Sequence, residues 1–185
     1  MQRDGFQRLP VPEKVLPFAE GGFGFPDGKA RFYSEFQADQ GLPALPDYVA
    51  PREGAGAADR EASAHPLVLL TPKTHRRFLN TSYSDLPGHG DREDGPYVEL
   101  NSVDAVSRGI AEGDEVQVFN DRATLVLPAR ITERVGAGVV AVPFGWWSTH
   151  HQGEGTANSL TSDTETDWGG GVAYSDTQVQ VQALS

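Results

Sequence analysis

The sequence predicts a mainly β protein: a small closed barrel of six short strands with short helices, preceded by an irregular segment rich in proline and glycine. Three observations predict it. Pro10, Pro12, Pro17, Pro26, Pro43, Pro46 and Pro51 crowd the first 64 residues, together with Gly21, Gly22, Gly54 and Gly56. Proline fixes φ and removes a backbone donor, so this density forbids long helices and central strands. From His65 onward, short apolar or alternating runs follow one another, as strands buried on one or both faces require. Glycine and proline separate these runs, and short strands with such turns favour a closed barrel. The chain is accordingly read as residues 1–64, an irregular connecting segment and linker, and residues 65–185, a β-barrel domain.

The elements follow in order. Residues 29–34, Lys-Ala-Arg-Phe-Tyr-Ser, alternate well enough to predict one strand inside the irregular segment. The Ala-, Gly- and charge-rich stretch 52–64 reads as a flexible linker. Residues 66–70 form an apolar run stopped by Pro72, the first barrel strand. Residues 96–100 form the second. Asn101 or Ser102 then caps a helix of about two turns with an acidic residue in its first turn. Gly109 suits the left-handed position that ends it. Val116 and Val118 alternate with Glu115, Gln117 and Phe119, and Leu125, Leu127, Ala129 and Ile131 alternate with Val126, Pro128 and Arg130. Residues 138–142 are a further apolar run. The tail, 177–184, alternates through Val179 and Val181, which ties the C-terminus into the sheet.

Composition narrows the function. Apolar residues make up 38% of the 185, and no apolar run reaches the roughly 18 residues of a membrane-spanning helix, so no membrane insertion is expected. The chain has no cysteine, which excludes disulfides, thiolate metal sites and cysteine-held clusters within it. A net charge of −11 repels nucleic-acid phosphates. Against that background Lys73, Arg76 and Arg77 fall close together around His75, which reads equally as an anion-binding loop or as a solvated turn. The N-terminus lacks the apolar stretch of a secretory signal, so a cytoplasmic location is expected.

The string from Leu69 to Ser82, Leu-Leu-Thr-Pro-Lys-Thr-His-Arg-Arg-Phe-Leu-Asn-Thr-Ser, resembles the first strand and following loop of the dinucleotide-binding domain that closes the chain of molybdopterin oxidoreductases. Further pieces agree in order: Asp104 to Val116 with Gly109, Ile110, Gly113 and Asp114; Val118 to Arg122; Gly138 with its two valines; Gly145, Trp146 and Trp147; Ala157 to Thr161; and the glycines after Asp167. Each is weak alone, and six in order over 65–185 are strong. Upstream, Phe25 to Glu35 is similar to the segment leading into that domain. Two departures stand out. Ala123 replaces a usual hairpin glycine, and 134–138 lacks a proline that the family often has.

The resemblance implies a double-psi-type barrel that binds molybdopterin guanine dinucleotide, as the C-terminal domain or a fragment of a molybdenum or tungsten oxidoreductase. The remaining domains or subunits would be its partners, and the metal would be ligated mainly by groups outside this chain. No catalytic or metal-ligating residue is assigned, so the chain alone is not expected to be catalytic. Such an anionic cofactor needs backbone N–H groups and cations at its phosphates, and amides or hydroxyls at its ring edges. In the first loop these are Thr71, Lys73, His75, Arg76, Asn80 and Ser82. Asn80 and Ser82 also suit turn formation. At the β-hairpin they are Asn120 and Arg122, although hairpin tips favour such residues for backbone reasons. One of Trp146 and Trp147 is expected to pack inward and the other to cover the cofactor channel, with Trp147 taken as a cofactor-binding residue. Asn158 and Thr161 complete the set. Adjacent His150 and His151 do not suit one zinc ion, and Asp163, Glu165 and Asp167 read as a solvated acidic loop. The alternative is a free-standing β-barrel adaptor or assembly subunit without cofactor. A self-processing decarboxylase on a related barrel would need a Gly-Ser bond, which this sequence lacks.

Overall fold

The computed structural model describes residues 10–11, 14–53, 63–73, 86–88, 95–152, 155–166 and 169–184. The chain divides into two compact units, Met1–Tyr48 and Val49–Ser185.

Among the described residues of the first unit one short helix forms, α1 (Glu35–Asp39), whose N-cap Ser34 accepts a hydrogen bond from the Gln37 N–H at 3.2 Å. Residues 29–34, expected as a strand, are not one. Alternation makes a strand only where a neighbour can take up the backbone bonds and one face is buried. Here Phe32 is 85% exposed and Tyr33 55% exposed, and the Ser34 N–H donates to the Ala44 carbonyl at 2.8 Å in a loop closure. Aromatic contacts occur elsewhere in this unit: Phe18 stacks on Phe23 at 4.5 Å, and the Arg31 guanidinium lies 4.9 Å from the centre of the Phe25 ring.

The second unit is the barrel. Its strands are β1 (Leu67–Leu70), β2 (Val98–Leu100), β3 (Glu115–Phe119), β4 (Thr124–Ile131), β5 (Val139–Ala141) and β6 (Gln178–Ala183). They close in the order β1-β5-β2-β4-β3-β6. Two neighbouring pairs, β1 with β5 and β2 with β4, are parallel, and the other four are antiparallel. This is the expected six-stranded, double-psi-type barrel. Alternation sends Leu67 and Leu69, Val116 and Val118, Leu125, Leu127 and Ala129, and Val179 and Val181 into one shared core, each no more than 2% exposed. Each fully buried Leu or Val contributes roughly 1.5–3 kcal/mol relative to exposure, which is how strands this short hold together.

The α-helix found among the described residues of this unit, α2 (Ser102–Ser107), begins where the sequence places it. Asn101 Oδ1 accepts from the Val103 N–H at 3.0 Å, and Gly109 takes φ 65° just beyond the helix. The cap is also a tertiary anchor, because Asn101 Nδ2 donates to the Val135 carbonyl at 2.9 Å. Buried Asp104 accepts the Gly138 N–H at 2.7 Å, tying α2 to the entry of β5. The β3–β4 hairpin turns through residues 120–123 with positive φ at none of them. Alanine at 123 therefore carries no strain.

Candidate functional site

Strands β1 and β5 run on past their ends as a parallel pair. The Val142 N–H donates to the Leu70 carbonyl at 2.9 Å and the Phe144 N–H to the Pro72 carbonyl at 3.0 Å, and Lys73 bridges Phe144. With side chains alternating along the strand, Thr71 and Lys73 continue the row begun by Leu67 and Leu69. That row points into the core within the barrel and emerges at its mouth, where the packing changes from leucine to a hydroxyl and an ammonium.

The opposite wall is a one-turn 3-10 helix, Ala157–Leu160. Ala157 and Leu160 are buried in the barrel core, which pins the turn and leaves Asn158 exposed and Thr161 half-buried. Both the N–H and the hydroxyl of Thr161 donate to the Asn158 carbonyl, at 3.1 and 2.8 Å. At the start of the turn Thr156 and Ser159 cap each other. Ser162, Asp163, Val172 and Tyr174 form the remaining side. Together these residues enclose a cleft of about 800 Å³. Thr71, Lys73, Asn158 and Thr161, far apart in sequence, meet in it.

A smaller cavity of about 280 Å³ shares Phe144 and Asn158 with the cleft and extends to Trp147, Ser148, His151 and Thr156. Trp146 packs inward at 6% exposure, edge-on to His150 at 5.3 Å, and Trp147 stands 50% exposed on this cavity. His151 turns its buried Nδ1 away from any hydrogen-bond partner among the described residues. Burial, and secondarily the neighbouring His150, hold its pKa below the ordinary 6.5.

The hairpin residues are held differently. Asn120 Nδ2 donates to the carbonyls of Leu160 and Gln178 at 2.8 and 3.1 Å, and its Oδ1 accepts from the N–H groups of Arg122 and Ala123. Arg122 Nε donates to the same Leu160 carbonyl at 2.9 Å, while its terminal nitrogens pair with both oxygens of Glu53 at 2.9 and 2.7 Å. Both side chains thus fasten the cleft turn from behind. His75, Arg76, Asn80 and Ser82 lie outside the described residues. Sequence reasoning did not single out Phe144, Ser162 or Tyr174 for this site, and it read Asp163 as part of a solvated loop. Asp163 is exposed and also lines the cleft.

A cleft at the barrel mouth that sets an ammonium, hydroxyls, an amide and a carboxylate beside Phe144, Val172 and Tyr174 offers a ligand both polar partners and apolar surface. A family model described as "Molydopterin dinucleotide binding domain" matches residues 67–178, and the chain belongs to that family. It is 33% identical over 172 residues to "Probable oxidoreductase YoaE" of Bacillus subtilis (strain 168), covering 93% of this chain and 24% of that protein. It is also 33% identical over 129 residues to the dimethyl sulfoxide/trimethylamine N-oxide reductase of Cereibacter sphaeroides, covering 67% of this chain and 15% of the reductase. The chain therefore spans a quarter or less of the length of these relatives. Its fold is similar to that of acetylene hydratase from Pelobacter acetylenicus, with a TM-score of 0.70 at 21% identity over 86% of this chain and 24% of the hydratase. Among the described residues, no helix is long and apolar enough to cross a membrane.

Proposed function

We propose that the cleft holds the nucleotide end of molybdopterin guanine dinucleotide, and that the chain serves as the C-terminal domain of a molybdenum or tungsten oxidoreductase. The observation that carries this reading is the convergence of Thr71, Lys73, Asn158 and Thr161 on one cleft within a domain of this family. The donor set fits the group. Lys73 and the hydroxyl of Thr71 suit phosphate oxygens, whose charge and lone pairs favour cations and O–H donors, while the Thr161 hydroxyl, whose proton goes to the Asn158 carbonyl, offers acceptor lone pairs to a ring N–H. Asn158 offers a donor and an acceptor to a ring edge. Asp163 is acceptor-only when ionised, which matches the adjacent N–H groups of guanine. When bound, the cofactor supplies metal-centred redox chemistry. This chain's residues bind its nucleotide end and set its orientation, and Trp147 covers the adjoining cavity. Asn120 and Arg122 support the cleft turn from outside. His75, Arg76, Asn80 and Ser82, which follow Lys73 in the sequence, are proposed as further phosphate and ring contacts. Other domains or subunits are the partners, and they supply the metal ligands.

Calorimetric titration of the full chain with guanosine diphosphate tests the reading. Binding is expected, weakened about tenfold by Asn158→Ala through loss of a ring-edge hydrogen bond. Lys73→Ala is expected to weaken it too and to flatten its dependence on salt. Failure of the chain to bind, or affinity in both variants equal to that of the natural chain, would remove the basis for this assignment.

A further inference from the structure

The loop that forms one wall of the cleft has a second face. Thr161, Ser162 and Asp163 line the cleft, while Ser162, Thr164, Glu165 and Thr166 line a groove of about 340 Å³ on the other side. The segment 49–53, which precedes the barrel in sequence, occupies the far wall of that groove. Its fixings are specific. The N–H groups of Arg52 and Glu53 donate to the two oxygens of Asp176, each at 2.8 Å. Asp176 lies two residues after the cleft residue Tyr174. The Glu53 carboxylate takes both terminal nitrogens of Arg122, whose Nε holds the Leu160 carbonyl. One five-residue strap thereby ties down two cleft walls, at residues 158–163 and 174–176, and the hairpin behind them.

We infer that segment 49–53 is a positioning strap for the cofactor cleft, with Glu53, acting through Arg122, as the residue that holds the Asn158–Thr161 turn in its binding geometry. The inference rests on the nucleotide reading of the cleft. Glu53 touches no cleft surface; its carboxylate also takes a backbone hydrogen bond from Gln178 on β6, and its hold on the turn passes through Arg122 and the Leu160 carbonyl. The Leu160 carbonyl also accepts from Asn120, so removing Glu53 loosens the turn without releasing it. The strap makes binding at the barrel mouth depend on a segment outside the barrel strands, and a displacement of that segment would be felt at Asn158.

Amide hydrogen exchange on the full chain reads the turn directly, because opening is reported locally. In Glu53→Ala the amides of Ser159 and Thr161, which donate to Thr156 and Asn158, are expected to exchange about fivefold faster, with β2 and β3 amides unchanged. Guanosine diphosphate affinity is expected to fall by a similar factor. At residues 159 and 161, Glu53→Ala should add nothing further in an Arg122→Ala background. The strap is overturned by unchanged exchange at residues 159 and 161, by uniform acceleration across the barrel, by additive effects of the two substitutions, or by a loosened turn with full nucleotide affinity. If the unsubstituted chain takes no guanosine diphosphate, the nucleotide reading falls, and the exchange arms still decide whether the strap holds the turn.

Discussion

Arg122 and Glu53, 69 positions apart in sequence, meet through two nearly parallel hydrogen bonds of 2.9 and 2.7 Å. The Arg122 guanidinium, chiefly by hydrogen bonding, holds the Glu53 carboxyl below its ordinary 4.5, against the opposing effect of burial. A carboxyl depressed in the folded state contributes stability that is present above its unfolded value and is lost as pH falls through its folded value. Both side chains remain about one-third exposed, 32% for Arg122 and 36% for Glu53, so solvent screening limits the effect to about 1 kcal/mol or less. Urea unfolding from about pH 6 down to about pH 3 should show a steeper loss in the natural chain than in Glu53→Gln. Parallel pH profiles would mean that the pair does not contribute to acid stability.

Asp104 is a carboxylate inside the barrel domain whose work is structural. It accepts the Gly138 N–H at 2.7 Å and receives Arg108 at 3.4 Å. Asp104→Ala leaves a part-buried N–H without its acceptor, at a cost of roughly 2 kcal/mol. Asp104→Asn keeps an acceptor oxygen and should lose less. Denaturant midpoints measure both, and an alanine variant as stable as the natural chain would show that the α2–β5 tie is dispensable. Guanosine diphosphate binding should survive in the folded fraction of either variant, since Asp104 does not line the cleft.

The barrel was legible because its signals are local. Alternation through Val116 and Val118 and through Leu125, Leu127 and Ala129 reports which residues face the core, and Asn101 with Gly109 brackets α2. The same signal misled at residues 29–34, where alternation occurs without a strand to pair with. In the cleft, Lys73 and Asn158 were reached through the family resemblance, since a lysine after a strand or an asparagine in a turn is ambiguous by itself. Arg122 shows the limit of such reasoning. A hairpin arginine reads as available for phosphate until Glu53, 69 positions away, is seen to occupy it. Tyr174 and Ser162 carried no signal because only closure of the barrel brings their loops to its mouth.

His151 gives a second pH-dependent expectation of the same sign for a different reason. Its buried Nδ1 disfavours the charged imidazolium, and His150 beside it adds repulsion. The neutral form is therefore favoured in the folded state. The stability this contributes is complete above the ordinary value of 6.5 and is lost as pH falls below it towards the folded value. An NMR titration of the His151 ring should give a midpoint below that of a free histidine. In His151→Gln the stability profile over this range should flatten. A midpoint at or above 6.5 would show that the ring is hydrated or paired in solution.

Gly155 is where the cleft turn depends most narrowly on one residue type. It has φ +118°, a conformation that side chains strongly disfavour, and a Cβ placed there would sit 2.8 Å from Ser159 Oγ and 3.2 Å from Ser159 Cβ. Ser159 cannot swing aside freely, because its hydroxyl accepts the Thr156 N–H in the reciprocal cap of the turn that carries Asn158. Gly155→Ala therefore combines backbone strain with loss of the cap, at about 2–3 kcal/mol. Ser159→Ala loses only the cap, about 1 kcal/mol. The double variant should recover the part due to the clash and retain the part due to φ, so its cost falls below the sum of the two single costs. Calorimetric melting of the three variants measures this coupling. Strict additivity would mean that the alanine methyl and the Ser159 hydroxyl never compete for the same space, and the turn would then owe its shape to φ alone.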